Sequence, residues 1–339
     1  MANDLKQQMI TRMQGAASLN LAFVGVVNGL FDALHRLGPA TPEALAAAAE
    51  VDAGYVRRWC DAAYAFELLE TDDDDFRLSE TGDAFRTDAE GTLMPFAVQA
   101  VLGAHMAERA AGLMATGERP GEAVLAERST ILPFFGPMLE KTFGAMFAEQ
   151  ILPNVPIFEE VNQKGGLAVD LGCGNGWYLR ALCGRCPGLR GVGLDGFDEH
   201  VRQATDLAAA AGLGDRLRFA EGDIHDFRLD EPADLIAMNR ALHHVWDGRD
   251  NVMRILADHL APGGAAVIWE PRWPDERSSL RHPRTRGMAF QNLAEHVQGN
   301  HFLRPAEVAE AMRGVGLVPE IHTFAGGNEA VIVGRKLAG

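Results

Sequence analysis

The chain has 339 residues, enough for two domains with cores of their own. Its 47 acidic residues against 31 basic ones give a formal charge of −16, which disfavours nucleic acid and anionic membrane as partners, since phosphate binding needs basic surface. No uninterrupted apolar run reaches bilayer length and the start, Met1-Ala2-Asn3-Asp4-Leu5-Lys6, lacks a signal-peptide core, so the cytoplasm is the expected compartment.

Residues 1–95 read as a separate, mostly helical unit. Leu19 to Val27 leads into Leu30-Phe31-Asp32-Ala33-Leu34, apolar almost all round, as in a helix buried between partners. Thr41-Pro42-Glu43 predicts a helix start, with Thr41 as N-cap and Pro42 at the first helical position. A third helix is expected from about Ala53 to Leu69, then an acidic turn from Asp72 to Asp75 and a short strand at Phe76-Arg77-Leu78-Ser79. Three helices and a hairpin spell a winged helix. Up to Pro95, however, sixteen acids face seven Lys or Arg, a net of −9, and the third helix sets Asp61 and Glu67 beside Arg57 and Arg58. That balance opposes phosphate contact.

Residues 96–163 read as a helical connector divided by Pro133, Pro137, Pro153 and Pro156. Met106, Leu113, Phe134, Phe135, Met138, Phe143, Met146 and Phe147 form an aromatic and thioether set there. Such residues at helical spacing pack as ordinary core; alternatively, some of them cover a pocket.

From 164 to 339 the pattern alternates as a doubly wound α/β sheet should. Leu167-Ala168-Val169-Asp170-Leu171 has the branched, apolar character of a buried parallel strand, and Gly172-Cys173-Gly174-Asn175-Gly176 follows before the helix-like Trp177 to Leu182. A strand, a glycine turn and a helix bring free backbone N–H groups close to a nucleotide-like ligand. The next strand, Gly191 to Leu194, ends in Asp195, 19 residues past Gly176 and placed to accept hydrogen bonds from both hydroxyls of a ribose. A dinucleotide fingerprint would need glycine at 177, where Trp177 stands, and Asp170 would repel a pyrophosphate but welcome an ammonium. Cys183 and Cys186 make a C-x-x-C at the end of the following helix; a redox pair is expected nearer a helix start, so these read as incidental thiols.

Val169-Asp170-Leu171-Gly172-Cys173-Gly174-Asn175-Gly176 resembles the first motif of the class I S-adenosylmethionine-dependent methyltransferases, and the likeness runs from Gly166 to the C-terminus. It implies a Rossmann-like seven-stranded sheet with one antiparallel strand, and S-adenosylmethionine as cofactor. Asp170, Gly172, Gly174, Gly176 and Asp195 would hold that cofactor. Gly222-Asp223-Ile224 would meet the adenine, Asp223 at the amino group and Ile224 on the ring, while Asn239 would face the methionine part. In similar small-molecule O-methyltransferases the winged helix serves dimerisation, which implies a homodimer, and the connecting helices cover the substrate pocket, where Phe147 is a candidate.

The methyl group on a sulfonium is already electrophilic, so the protein mainly aligns a nucleophile and excludes water. His243 in Arg240-Ala241-Leu242-His243-His244-Val245-Trp246-Asp247 matches the histidine that serves as base in the family's Leu-His-Asp-Trp stretch, although here His244 follows it and Trp246 is displaced by one. The alternative is a loop pair, His243 and His244, that only shapes the pocket. Glu270 could orient an imidazole or be a surface-facing strand-end acid. Arg272, Arg277, Arg281, Arg284 and Arg286 form a solvated loop or a site for an anionic acceptor. Phe290, Leu293 and Val297 share one helical face, and Glu295, His296, Asn300 and His301 are candidate substrate contacts. The spacing of His296 and His301 matches no standard ligand pattern, so no metal is expected. The sequence thus points to methyl transfer onto a small molecule, O or N before C or S, in secondary metabolism. A ligand-responsive winged-helix regulator, a nicotinamide oxidoreductase and a non-methylating enzyme on the same fold are the alternatives.

Overall fold

The computed structural model describes residues 2–338, which divide into two compact units, one ending at Met106 and the other beginning at Ala107. The stretch from 107 to 163, expected as part of a separate connector, therefore belongs to the same unit as the sheet.

In the first unit, a long helix, Ala2–Val27, breaks at Gly29, whose φ of 64° lies in the left-handed region, and Leu30–Leu37 continues as a second helix. Gly25 is demanded by packing, because a Cβ there would come within 2.5 Å of the Phe31 ring and 2.6 Å of Trp59. Those two rings meet edge to face at 5.4 Å. The helix Pro42–Ala49 starts as its sequence requires, with the Thr41 hydroxyl accepting from the Ala44 N–H at 3.3 Å. Asp52 caps the next helix, Ala53–Ala65, in the same way. That helix ends four residues earlier than expected, and Glu67, at φ 59°, turns the chain into β1 (Leu69–Asp72), which pairs antiparallel with β2 (Asp75–Leu78). Three helices and a hairpin complete a winged helix.

The second unit is built on seven strands: β3 (Gly166–Leu171), β4 (Leu189–Asp195), β5 (Leu217–Glu221), β6 (Ala233–Asn239), β7 (Leu260–Pro271), β8 (Val318–Phe324) and β9 (Glu329–Arg335). Their order is β5-β4-β3-β6-β7-β9-β8, parallel from β5 to β7, with β9 antiparallel to both of its neighbours. Alternation along the strands sorts the core into two layers. Leu167, Val169 and Leu171 face one layer with Ile236, Met238 and Ile268, covered by the helices Arg249–His259 and Pro305–Gly314. Ala168, Leu235, Ala237 and Val267 face the other, with the helices Pro156–Lys164 and Trp177–Arg185. Because β3 to β7 run the same way, the turns after Leu171, Asp195, Glu221, Asn239 and Pro271 gather at one edge, where ligands of open parallel sheets bind.

Candidate active site

The turn after β3 is bent by Gly172, Gly174 and Gly176, all with positive φ. At Gly172 a Cβ would lie 2.6 Å from that of Ala241, so the turn packs directly on the segment that leads to His243. At Gly174 a Cβ would meet nothing within 4 Å, which leaves an open backbone face. The expectation of free N–H groups needs correction. Gly172 and Cys173 donate to the Leu194 carbonyl at 2.8 and 3.0 Å, Gly174 to Asp195 at 2.8 Å and Gly176 to the Cys173 carbonyl at 2.9 Å. The turn offers shape here more than donors.

Asp170 supplies the charge. It is 1 % exposed, and burial, helped by the negative charge of Asp195 and opposed by a 2.9 Å hydrogen bond from the Asn239 amide, raises its carboxyl well above the usual range. Asn239 turns its amide nitrogen to Asp170 and leaves its own Oδ1 buried without a partner. A buried acid beside an orphaned acceptor suits a multi-donor cation such as an ammonium.

Asp195, expected to hold two ribose hydroxyls, is already engaged on both oxygens. Oδ2 accepts from Gly174, and Oδ1 from the Phe197 N–H at 3.1 Å and faces His200 Nδ1 at 3.0 Å. Only Oδ2 retains a lone pair for one hydroxyl. Asp223 is exposed and its Oδ1 accepts from the His225 N–H at 2.8 Å, capping a short 3-10 turn, while Ile224 packs at the edge of the core and Gly222 donates to the Asp195 carbonyl at 3.0 Å.

A second cluster follows β6 and β7. His243 is 4 % exposed and its Nδ1 lies 2.6 Å from Glu270 Oε2, while its backbone N–H donates to Glu270 Oε1 at 3.2 Å. Glu270 therefore points inward at the imidazole. Burial raises its carboxyl, but the charge and hydrogen bond of His243, with Arg240 and His244 beyond, outweigh that and leave it below the usual range. Glu295 brings a third group, its Oε2 standing 3.8 Å from His243 Nε2 and accepting from the Gln298 amide at 3.0 Å. His244 packs against His243 with ring centroids 4.1 Å apart, and its Nδ1 contacts Glu122 Oε1 at 2.9 Å and Asn300 at 2.7 Å.

Other candidates lie elsewhere. Phe147 is wholly buried among Phe158, Trp177, Tyr178 and Trp269, so the expected pocket contact is corrected to a core residue: no face of its ring is open to a ligand. His296 and His301 are exposed, and along the helix Pro283–Val297 it is Glu295, one residue before His296, that turns inward. Of the expected apolar face of that helix, Phe290 and Leu293 are exposed and Val297 is buried. Arg272 is tied to Asp275 at 3.1 Å and to the Gly327 carbonyl at 3.4 Å, and Arg277, Arg281, Arg284 and Arg286 face solvent.

Several site residues escaped the sequence reading. His200, five positions beyond Asp195, could have been suspected from that spacing. Glu122 gave no local signal. Neither did the pair of Arg240 and Glu329, 89 residues apart, which meet at 2.6 Å while Trp269 Nε1 donates to Glu329 at 2.8 Å. Arg240 holds φ 56° and stacks its guanidinium 3.7 Å over Phe143.

Comparison with known proteins agrees with this architecture. Residues 168–264 match the methyltransferase domain family and residues 15–82 the Rv2258c-like winged HTH domain. A trans-aconitate 2-methyltransferase of Mycobacterium tuberculosis strain H37Ra is 35 % identical over 122 residues, which is 35 % of this chain and 43 % of that protein. The chain thus aligns with less than half the length of that relative. Among solved structures, an O-methyltransferase family protein from Burkholderia thailandensis superposes with a TM-score of 0.73 at 20 % identity, covering 100 % of this chain and 99 % of that one. Human N-acetylserotonin methyltransferase, solved in complex with SAM, superposes with a TM-score of 0.71 at 20 % identity, covering 98 % of each chain. The fold is that of a class I methyltransferase domain with a winged helix at its N-terminus.

Proposed function

We propose that this methyltransferase-domain protein transfers the methyl group of S-adenosylmethionine to an oxygen or nitrogen of a small molecule in secondary metabolism. The observation that carries the reading is the contact between the open glycine turn, backed by buried Asp170, and the Ala241 segment that delivers His243. A donor cradle and a proton acceptor are thereby held side by side.

The cofactor, when bound, supplies an electrophilic methyl on sulfur. Asp170 and the Asn239 Oδ1 would hold its ammonium, Gly174 would leave room for its amino-acid tail, the spare lone pair of Asp195 Oδ2 would take one ribose hydroxyl, and Asp223 with Ile224 would meet the adenine. A hydrogen bond from His243 Nδ1–H to Glu270 Oε2, 2.6 Å away, would leave the Nε2 lone pair for the acceptor's proton. The imidazolium so formed lies between two carboxylates, Glu270 and Glu295, as a charge that appears during reaction requires. Positioning of acceptor and donor supplies the larger share of the acceleration, about 7 to 11 kcal/mol in favourable cases.

Calorimetry with S-adenosylmethionine and S-adenosylhomocysteine tests the reading. One site per chain, weakened by Asp170→Asn, is the expected result; no uptake of either compound refutes it.

The N-terminal unit supports a homodimer. Leu5, Met9 and Met13, at intervals of four residues, form an exposed apolar stripe along the helix Ala2–Val27, the kind of surface that a soluble chain covers with a partner. The acidity of this unit argues for a second copy of the chain over DNA.

A further inference from the structure

The fold assembles around His243 a donor set that sequence spacing does not reveal. One ring nitrogen from His243, one from His244 and one carboxylate oxygen of Glu295 all lie within 4.8 Å of one another. Two neighbouring residues on one loop and a third 51 positions later on a helix converge on a single point.

Three observations go beyond the cluster itself. Each imidazole has its Nδ1 against a carboxylate, His243 against Glu270 at 2.6 Å and His244 against Glu122 at 2.9 Å, with the Asn300 side chain 2.7 Å from that same His244 nitrogen. That is the outer-shell arrangement by which metal-binding histidines fix their tautomer and gain basicity. Next, three carboxylates surround two imidazoles while the nearby cation Arg240 is committed to Glu329, an arrangement that favours positive charge among them. Finally, Glu295 is itself held by Gln298 at 3.0 Å, as ligating carboxylates are. Two histidines and one carboxylate on one side of a cation, with the remaining positions open, is a set that binds divalent first-row metals.

We infer that His243, His244 and Glu295 form a binding site for a divalent, nitrogen- and oxygen-preferring cation. The role of the cation rests on the methyl-transfer reading, whereas its binding does not. Cation and proton compete for the same lone pair of His243. With the cation in place His243 would serve as a ligand, and an acceptor hydroxyl in an open position would give its proton to solvent water more readily, because the cation stabilises the oxyanion that then takes the methyl as the C–S bond breaks.

The test is titration of the chelator-stripped full chain with Co²⁺, followed by equilibrium dialysis with elemental analysis and visible absorption. One Co²⁺ per chain with ligand-field bands is expected, with binding weakened at least tenfold by His244→Asn and by Glu295→Gln, and about 10- to 100-fold by Glu270→Gln. Pulsed electron paramagnetic resonance of the Cu²⁺-loaded wild-type protein counts the bound imidazoles without any substitution. Two are expected. Retention of no cobalt, binding indifferent to these substitutions, or fewer than two imidazoles overturns the inference. Calorimetry with S-adenosylhomocysteine on the same samples separates the two ideas. Cofactor uptake without cobalt sinks the metal site alone, and cobalt uptake without cofactor sinks the methyl-transfer reading alone.

Discussion

Glu270 grips His243 twice, once at the ring through a 2.6 Å contact to Nδ1 and once at the backbone N–H at 3.2 Å. The two bonds fix both the position of the loop and the rotation of the imidazole. In the cation-free protein, His243→Ala is therefore expected to lower kcat by about 10²- to 10⁴-fold with little change in cofactor affinity. Glu270→Gln should lower kcat as well, because a glutamine can present its amide to Nδ1 and leave the proton on Nε2. Steady-state kinetics beside calorimetry of cofactor binding checks both, and a loss below tenfold for His243→Ala would leave alignment as the whole of catalysis.

Asp170 illustrates a conflict between stability and function. Its folded-state pKa is raised by burial, so its contribution to stability is complete below about pH 3.9 and is lost as pH climbs through the raised value. Rising pH therefore favours an ionised form that burial disfavours and that has the Asn239 amide as its hydrogen-bond donor. Asp170→Asn should raise the melting temperature of the ligand-free protein at pH 7 and change it little near pH 3.5. The same substitution should weaken S-adenosylmethionine binding on the order of 10- to 100-fold, as expected for the loss of a charged hydrogen bond. Thermal melts across that pH range, with calorimetry at pH 7, read both effects; a destabilised variant at pH 7 would contradict them.

Arg240 and Glu329 form a buried ion pair that Trp269 shares. Burial raises the Glu329 carboxyl, and only Arg240, with the Trp269 and Arg240 hydrogen bonds, opposes that. Removing one partner strands the other, so Arg240→Met should cost about 3–5 kcal/mol, read by denaturant unfolding. The double substitution Arg240→Met with Glu329→Gln should recover part of that loss. Failure to recover any would mean that the lost stacking of the Arg240 guanidinium on Phe143, and not the stranded charge, sets the cost.

The exposed stripe of Leu5, Met9 and Met13 makes a prediction about assembly. Light scattering coupled to gel filtration should report a dimer for the parent chain and a monomer for Met9→Lys combined with Met13→Lys. A monomeric parent chain would remove the dimer from the account.

The parallel strands, the hairpin and the start of the helix at Pro42 were legible because their signals are local. Each strand carries its own alternation or apolar run, and Thr41-Pro42 announces a helix start by itself. The pairing of Glu122 with His244 was not legible, since nothing within either segment refers to the other. Along the helix Pro283–Val297 the spacing of Phe290, Leu293 and Val297 was legible but not their surroundings, since Val297 is buried, Phe290 and Leu293 are exposed, and Glu295 and Gln298 turn inward to a polar cluster. Asp195 was found, but its three partners were not, because a hydrogen bond from Gly174 or a contact with His200 depends on how tightly the turn closes.

The position of β9 has a consequence for biosynthesis. It slots between β7 and β8, yet it is made after both, and it carries the Glu329 that neutralises Arg240 at the site. During translation the parallel strands β3 to β7 leave the ribosome first and wait with one edge unpaired and one cation uncompensated. Until β9 pairs, β7 therefore lacks its antiparallel neighbour and Arg240 its counter-charge, so a chain cut before Glu329 should lack both the sheet's last pairing and this ion pair.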